Sequence, residues 1–210
     1  MKLFKYTYKS DLPDVLPNSR TGYCFSCRVK LVDTFFTANG SFSKEYICAS
    51  CGQNQNRILL WDPSLKQYFD KSNLLIHESV GVIVLNENNE VLLFYRSKFP
   101  VSYTIPAGHI DNDEDPKDAG IRELEEETGL KSEGLHSLST TQIKGDSCSR
   151  GSDIHQWHLY ATKVTNTKVV LTDEGQHYGW YQLNSLPDDL TLPTATFLRN
   201  QDILNKLKKL

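Results

Sequence analysis

No apolar run in this 210-residue chain approaches the roughly 18–20 residues that a membrane-crossing helix needs. The opening residues, Met1–Lys9, alternate lysines with bulky side chains and hold no apolar signal core. Strong charge of either sign is missing too. The formal net charge is −3, so no global basic field draws the chain toward nucleic acid or an anionic membrane. There is no internal repeat and no low-complexity tract, which sets aside solenoids and biased linkers. What remains is a soluble chain, expected in the cytoplasm, long enough for one sizeable core or two small ones.

Cysteine is sparse but arranged. Four of the five cysteines form two C-x2-C pairs, Cys24/Cys27 and Cys48/Cys51, with twenty residues between the pairs. Zn²⁺ takes four soft donors in a tetrahedron, and each C-x2-C turn supplies two sulfurs. A redox dithiol needs only one such pair, and disulfides do not persist in a reducing compartment. The pattern therefore predicts a zinc ribbon over residues 21–58, with strands at Val29–Phe36 and Ser43–Ile47 and Gly52 shaping the second turn. A segment this small depends on its metal to fold. Contact with nucleic acid stays open through this ribbon, and pairing of two chains into a homodimer through the ribbon or the connector that follows it. Cys148 lies in the polar stretch Gly145–Arg150 with no base in sight and reads as an incidental thiol.

The rest divides into a polar lead-in (1–20, with Pro13 and Pro17), a connector (59–77) and a larger domain (78–210). In the connector, Trp61 and Tyr68-Phe69 are expected to pack between the two folded parts. In the larger domain Ser79–Leu85 reads as a buried strand, Asn86–Asn89 as a turn and Glu90–Tyr95 as the returning strand. Ser102–Pro106, Leu135–Ile143, Ile154–Val164, Lys168–Leu171 and Tyr178–Leu183 are further strands. Thr194–Lys209 reads as one amphipathic helix, with Phe197, Leu198, Ile203, Leu204 and Leu207 apolar. Strands, helix, strands, helix predict an α/β sandwich with a mixed sheet rather than a doubly wound one.

The densest chemistry lies between Gly108 and Leu130. Asp115-Pro116 opens a helix, with Asp118 near its positive end, and Gly129 closes it. With Glu123 at zero, Glu126 falls at about −60° and Glu127 at about +40° around the axis, and Leu124, Thr128 and Ile121 gather at about 100–160°. Three carboxylates thus share one face, with Arg122 as their sole near neighbour of opposite sign. Glu125 points toward the packing side. Like charges at this spacing cost roughly 0.2–0.5 kcal/mol per pair. A solvated acidic face accounts for three glutamates alone. A hard divalent cation accounts for them as a cluster.

The whole stretch runs Gly108, five residues, Glu114, seven residues, Arg122-Glu123-Leu124-Glu125-Glu126-Glu127-Thr128-Gly129-Leu130. It resembles the Nudix box, G-x5-E-x7-R-E-U-x-E-E-x-G-U with U aliphatic, at every fixed position. The resemblance implies an α/β/α sandwich and a Mg²⁺- or Mn²⁺-dependent hydrolase of nucleoside diphosphates linked to another moiety, a nucleotide-derived small molecule. It implies Glu126 and Glu127 as metal ligands, Glu123 as a further ligand or the base, and the Ala107 carbonyl as an extra ligand. Arg122 would orient a glutamate and Glu114 would support the loop. A zinc ribbon ahead of such a domain is similar to bacterial NADH pyrophosphatases. Their Ser-Gln-Pro-Trp-Pro-Phe-Pro motif is replaced here by Leu135–Gln142, and Gly145-Asp146 stands where ADP-ribose enzymes carry a proline marker.

Other candidates are Glu174, ahead of a late strand, as an acidic residue reaching the metal, and Arg96, Gly108 and His109 as substrate contacts. Lys98 is a second cation beside Arg96. Trp157 and Tyr160 read as core aromatics before nucleobase platforms, and His177 as an exposed loop histidine before a base. The alternative function is a nucleotide-sensing module, with the ribbon contacting a protein or nucleic acid.

Overall fold

The computed structural model describes residues 17–31, 46–55, 57–132, 134–146, 148 and 150–210. In chain order the strands are β1 (Thr21–Cys24), β2 (Tyr46–Ile47), β3 (Asn54–Gln55), β4 (Ile58–Trp61), β5 (Gln67–Phe69), β6 (Leu75–Leu85), β7 (Val91–Arg96), β8 (Tyr103–Thr104) and β9 (Ala107–His109). Helix α1 (Pro116–Thr128) follows, then β10 (His136–Lys144), β11 (Ile154–Lys163), β12 (Gly175–Tyr181), α2 (Leu192–Leu198) and α3 (Gln201–Leu207).

The most apolar stretch of the chain, β6, becomes the centre of the main sheet. The sheet's path is β10-β11-β6-β7-β12, with β5 and β9 also on β6 and β8 on β7. The β11–β6 pairing is parallel and the others are antiparallel. Strand alternation sends successive residues to opposite faces. Val82, Val84 and Leu92 pack with Leu124 and Leu130 under α1. Ile83, Leu85, Val91 and Leu93 pack with Phe197, Leu198, Ile203 and Leu207 under α2 and α3. The expected α/β sandwich around a mixed sheet is therefore the architecture.

Helix α1 starts and stops where its sequence places it. The Asp115 side chain accepts from Lys117 N–H, Pro116 opens the first turn, and Gly129, at φ 68°, bonds back to the Glu125 carbonyl. Its faces differ in one respect from expectation: Glu125 is exposed and pairs with Lys131 at 3.3 Å. The apolar side is narrower than the angles suggest, centred on Ala119, Leu124 and Thr128.

Three other expectations are corrected. Lys168–Leu171 is not a strand, because Val170 N–H bonds to the Thr128 carbonyl at the end of α1 instead of to a sheet neighbour. The helix expected over Thr194–Lys209 is two helices. Asn200 breaks it with an extended backbone (φ −85°, ψ 119°) and caps α3 by accepting from Asp202 and Ile203 N–H. The span 59–77 contains regular structure: β4 pairs with β1 across the 58/59 boundary, and β5 pairs with β6. Trp61 and Phe69 do pack together, stacked 5.5 Å apart. Most of the lead-in and of the ribbon strands expected at Val29–Phe36 and Ser43–Ile47 lies outside the described residues.

Candidate active site

Sheet pairing fixes the direction of the backbone that enters the helix loop. Val80 faces Gly108, Pro106 O accepts from Val82 N–H, and Ile110 N–H donates to Glu78 O. In an antiparallel pair such groups alternate, so the N–H and C=O of Ala107 point away from β6. The Ala107 N–H ends on Glu127 Oε2 at 2.8 Å. The carbonyl of Ala107 is presented on the same side.

Arg122 ties the loop to the helix. Its Nε and Nη2 donate to Glu114 Oε1 and Oε2, both at 2.8 Å, in a bidentate clamp. Its Nη1 reaches Glu123 Oε1 at 2.7 Å and Glu126 Oε2 at 3.3 Å, and Nη2 reaches the His109 carbonyl at 3.2 Å. The guanidinium holds the Glu114 carboxyl below its usual range. Gly108 makes room for this arrangement, since a Cβ there would sit 2.0 Å from Glu123 Oε1.

The three helix carboxylates are not equivalent. Glu126 is exposed, Glu123 is mostly covered and Glu127 is buried at 6 % exposure. Burial raises the Glu123 carboxyl above its ordinary value and pushes that of Glu127 to about 8. Covered carboxyls whose ionised form burial disfavours gain from an oxygen-seeking cation.

All three glutamates line a cleft of about 700 Å³ together with Arg96, Ala107, Gly108, His109 and Glu174. That size accommodates a nucleotide-sized molecule. Of the residues singled out in sequence, Arg122 and Glu114 stand behind this wall instead of on it. Glu174 Oε1 is 3.1 Å from Lys98 Nζ across the mouth. His177 lies elsewhere, stacked on Tyr95 and bonded to Tyr103. Trp157 is in the core and donates to Asp146, while also bordering the cleft, and Tyr160 packs under α1. His109 lines the cleft, but its Nε2 is buried without a hydrogen-bond partner among the described residues. The ring faces His77 and His155, at centroid distances of 5.5 and 5.6 Å.

The cysteines converge as their spacing demands. Cys24 and Cys51 sulfurs are 3.8 Å apart, and Cys27 and Cys48 sulfurs 3.7 Å. Zn–S bonds near 2.3 Å put tetrahedral sulfurs about 3.8 Å apart. The two turns match: Arg28 N–H bonds to Cys24 O, Gly52 N–H to Cys48 O, and both residues take positive φ, 66° and 71°.

The profile of the NUDIX domain matches residues 75–201. The chain belongs to the Nudix family. Nudix hydrolase 25 of Arabidopsis thaliana is 44% identical over 54 residues, which is 26% of this chain and 31% of that protein. An RNA pyrophosphohydrolase of Pelagibacter ubique is 40% identical over 63 residues, 30% of this chain and 40% of that protein. These matches thus span less than half of either relative. An ADP-ribose pyrophosphatase of Methanocaldococcus jannaschii is 26% identical over 139 residues, 65% of this chain and 78% of that protein. Among solved structures, a MutT Nudix hydrolase from Burkholderia pseudomallei superposes with a TM-score of 0.52 at 22% identity, covering 60% of this chain and 98% of that one. The Nudix domain of Shewanella oneidensis NrtR, solved with ADP ribose, gives 0.53 at 18% identity, covering 67% and 94%. At these identities the likeness shows the fold. No described helix is long and apolar enough to cross a membrane.

Sequence reading gave no role to His77, Asp146 or His155, and did not reach the half-buried setting of Cys148. Their strands are distant in sequence, and only the parallel β11–β6 register sets His155 beside His77.

Proposed function

We propose that this Nudix protein is a Mg²⁺- or Mn²⁺-dependent pyrophosphohydrolase that cleaves the phosphoanhydride of a nucleoside diphosphate linked to another moiety. One observation carries the reading: Glu123, Glu126 and Glu127 form a carboxylate wall on a nucleotide-sized cleft that also holds Arg96. Glu123, Glu126, Glu127 and the Ala107 carbonyl are the oxygen donors for the ion. A divalent ion held there neutralises phosphate charge and lowers the pKa of a bound water. Arg122 aims Glu123 and, through Glu114, holds the loop that presents Ala107. Arg96 and the backbone at Gly108 are assigned to the phosphates. His109 acts from behind the loop, where its ring is turned. Glu174 and Glu123 are the two candidates for the general base. The four cysteines are assigned a structural Zn²⁺, and a reducing cytoplasm suits their thiolates.

The relatives' names differ in substrate, RNA in one case and ADP-ribose in another. The test is therefore separation of the products of a panel spanning both classes, read as two phosphomonoesters from ADP-ribose and as pyrophosphate or phosphate from the RNA 5′ end, with Mg²⁺, for the parent and for Glu126→Gln. Hydrolysis by the parent, lowered about 100-fold or more by the substitution, is expected. Hydrolysis indifferent to Glu126→Gln overturns the mechanism. Binding of a panel member without its hydrolysis favours the sensing module.

A further inference from the structure

On the cleft that carries the carboxylate wall, which His109, Cys148 and His155 also line, donors from four separate segments meet. His77 of β6, His109 of β9, His155 of β11 and Cys148 each offer one ligand atom, and all four atoms lie within 4.8 Å of one another. Sheet register produces the cluster: His77 is the partner of His155 across the parallel pair, and Ser79, two residues on from His77, is the partner of His109. The three imidazoles consequently share one face of the sheet.

Hydrogen bonding has already set the ring tautomers. His77 Nε2 lies 3.1 Å from the Leu60 carbonyl, which only accepts, so Nε2 carries the hydrogen and Nδ1 carries the lone pair. That Nδ1 is buried and has no partner among the described residues, and so is His109 Nε2. His155 Nδ1 is 3.2 Å from Asp146 Oδ2, an orienting carboxylate that leaves Nε2 as the lone-pair nitrogen. Ser152 Oγ sits 3.3 Å from that Nε2. Cys148 Sγ accepts from the Gly151 N–H at 3.2 Å. A carboxylate behind a histidine and an amide aimed at a sulfur are the outer contacts that metal ligands commonly have. Two buried ring nitrogens with no partner among the described residues, His77 Nδ1 and His109 Nε2, are otherwise a cost of roughly 1–3 kcal/mol each.

We infer that His77, His109, His155 and Cys148 form a second metal site, distinct from the cysteine cluster and from the carboxylate wall, that takes Zn²⁺ or an ion of similar softness. Three imidazole nitrogens and one thiolate suit a tetrahedral borderline ion and exclude Mg²⁺. Bound zinc places its donors about 3.3–3.8 Å apart, so loading draws the cluster in by no more than about 1.5 Å. The thiolate and Asp146 offset the charge of a divalent ion, with Arg150 on the same cleft and Arg57 near His155 as the opposing cations. The consequence is positional: the ion would pin His109, next to Gly108, to the two central strands, and hold the loop that carries Ala107. This inference does not rest on the hydrolase reading.

The test is elemental analysis and zinc-edge X-ray absorption of the full chain, prepared with excess zinc and then desalted, compared with Cys148→Ser and His155→Ala. Two zinc per chain with a mixed nitrogen and sulfur shell are expected in the parent. Either substitution should leave one zinc in an all-sulfur shell, and hydrogen exchange at 107–111 should quicken. One zinc per chain with only sulfur neighbours in the parent overturns the site, as does a second zinc that both variants retain with its nitrogen neighbours. Because the parent's own shell decides the matter, the outcome stands even if a variant folds poorly.

Discussion

Glu127 carries a pH signature that separates a cation site from a solvated acidic face. Its carboxyl is pushed by burial from an ordinary 4.5 to about 8. A carboxyl with a raised folded-state value binds its proton more tightly when folded, so its contribution to stability is full below the unfolded value and is lost as pH climbs toward the folded one. Burial lowers the values of His77, His109 and His155, which adds stability as pH rises toward about 6.5, so the Glu127 signature is read as a difference. In protein holding zinc but no magnesium, the parent should lose thermal stability relative to Glu127→Gln as pH climbs from about 5 to 8, and added Mg²⁺ should shrink that gap. Calorimetry of both proteins across that range checks this, and a parent-minus-variant difference that does not change with pH would contradict it. The carboxylate face was legible because helix geometry converts spacing into direction. The difference among the three glutamates was not, because it depends on β9, whose Ala107 amide meets Glu127 and not Glu126. His109 shows the same limit: its position in the loop was readable, but the histidines it faces are brought by strands far away in sequence.

Element boundaries followed local chemistry wherever a cap or turn residue stood alone. Asp115, Pro116 and Gly129 bracket α1 as read, and Asn86–Asn89 turns β6 into β7. They failed where an apolar pattern ran through a hidden cap. Phe197, Leu198, Ile203, Leu204 and Leu207 keep a helical period across Asn200, yet that residue's side chain accepts two amides and starts a new helix. Likewise Val169 is buried as an apolar strand residue would be, but its neighbour's amide goes to α1. Removing the hidden cap should be costly in proportion to its bonds. Asn200→Ala is expected to destabilise by about 1 kcal/mol, lowering Tm by about 2–4 °C, because two amides of α3 lose their acceptor. Activity should be unchanged, since Asn200 lies at the far end of α2 from Thr191 and Pro193, where that segment borders the cleft. A Tm equal to the parent's would mean that the break between α2 and α3 is imposed by packing and not by the cap.

At the scale of the molecule, the cysteine-bearing segment is stitched to the Nudix sheet by more than a linker. Arg28, at the left-handed corner of the first cysteine turn, makes a bidentate pair with Asp153 at 2.7 and 2.8 Å. Both side chains are largely covered, at 12% and 8% exposure, and Asp153 Oδ2 also accepts from Leu75 N–H at the start of β6. Nearby, Leu60 N–H bonds to the Gly151 carbonyl, and a Cβ on Gly151 would lie 1.9 Å from the Ile58 carbonyl oxygen. Pattern reading of the sequence ends the cysteine-bearing segment at 58/59, whereas β4 carries its pairing with β1 straight across that point. The small unit therefore borrows order from the larger one, and its metal and its dock should support each other. Arg28→Ala strands Asp153 in a covered position, a change that typically costs roughly 3–5 kcal/mol. Chelation of zinc from the parent should expose residues 21–61 to hydrogen exchange while β6 and β11 stay protected. In Arg28→Ala the same exposure should come at a lower chelator concentration, and a separate early transition should precede the main one in urea. If parent and variant lose protection in 21–61 at the same chelator concentration, the Arg28–Asp153 pair does not couple the two parts, and the contacts of Leu60 with Gly151 and His77 hold them together.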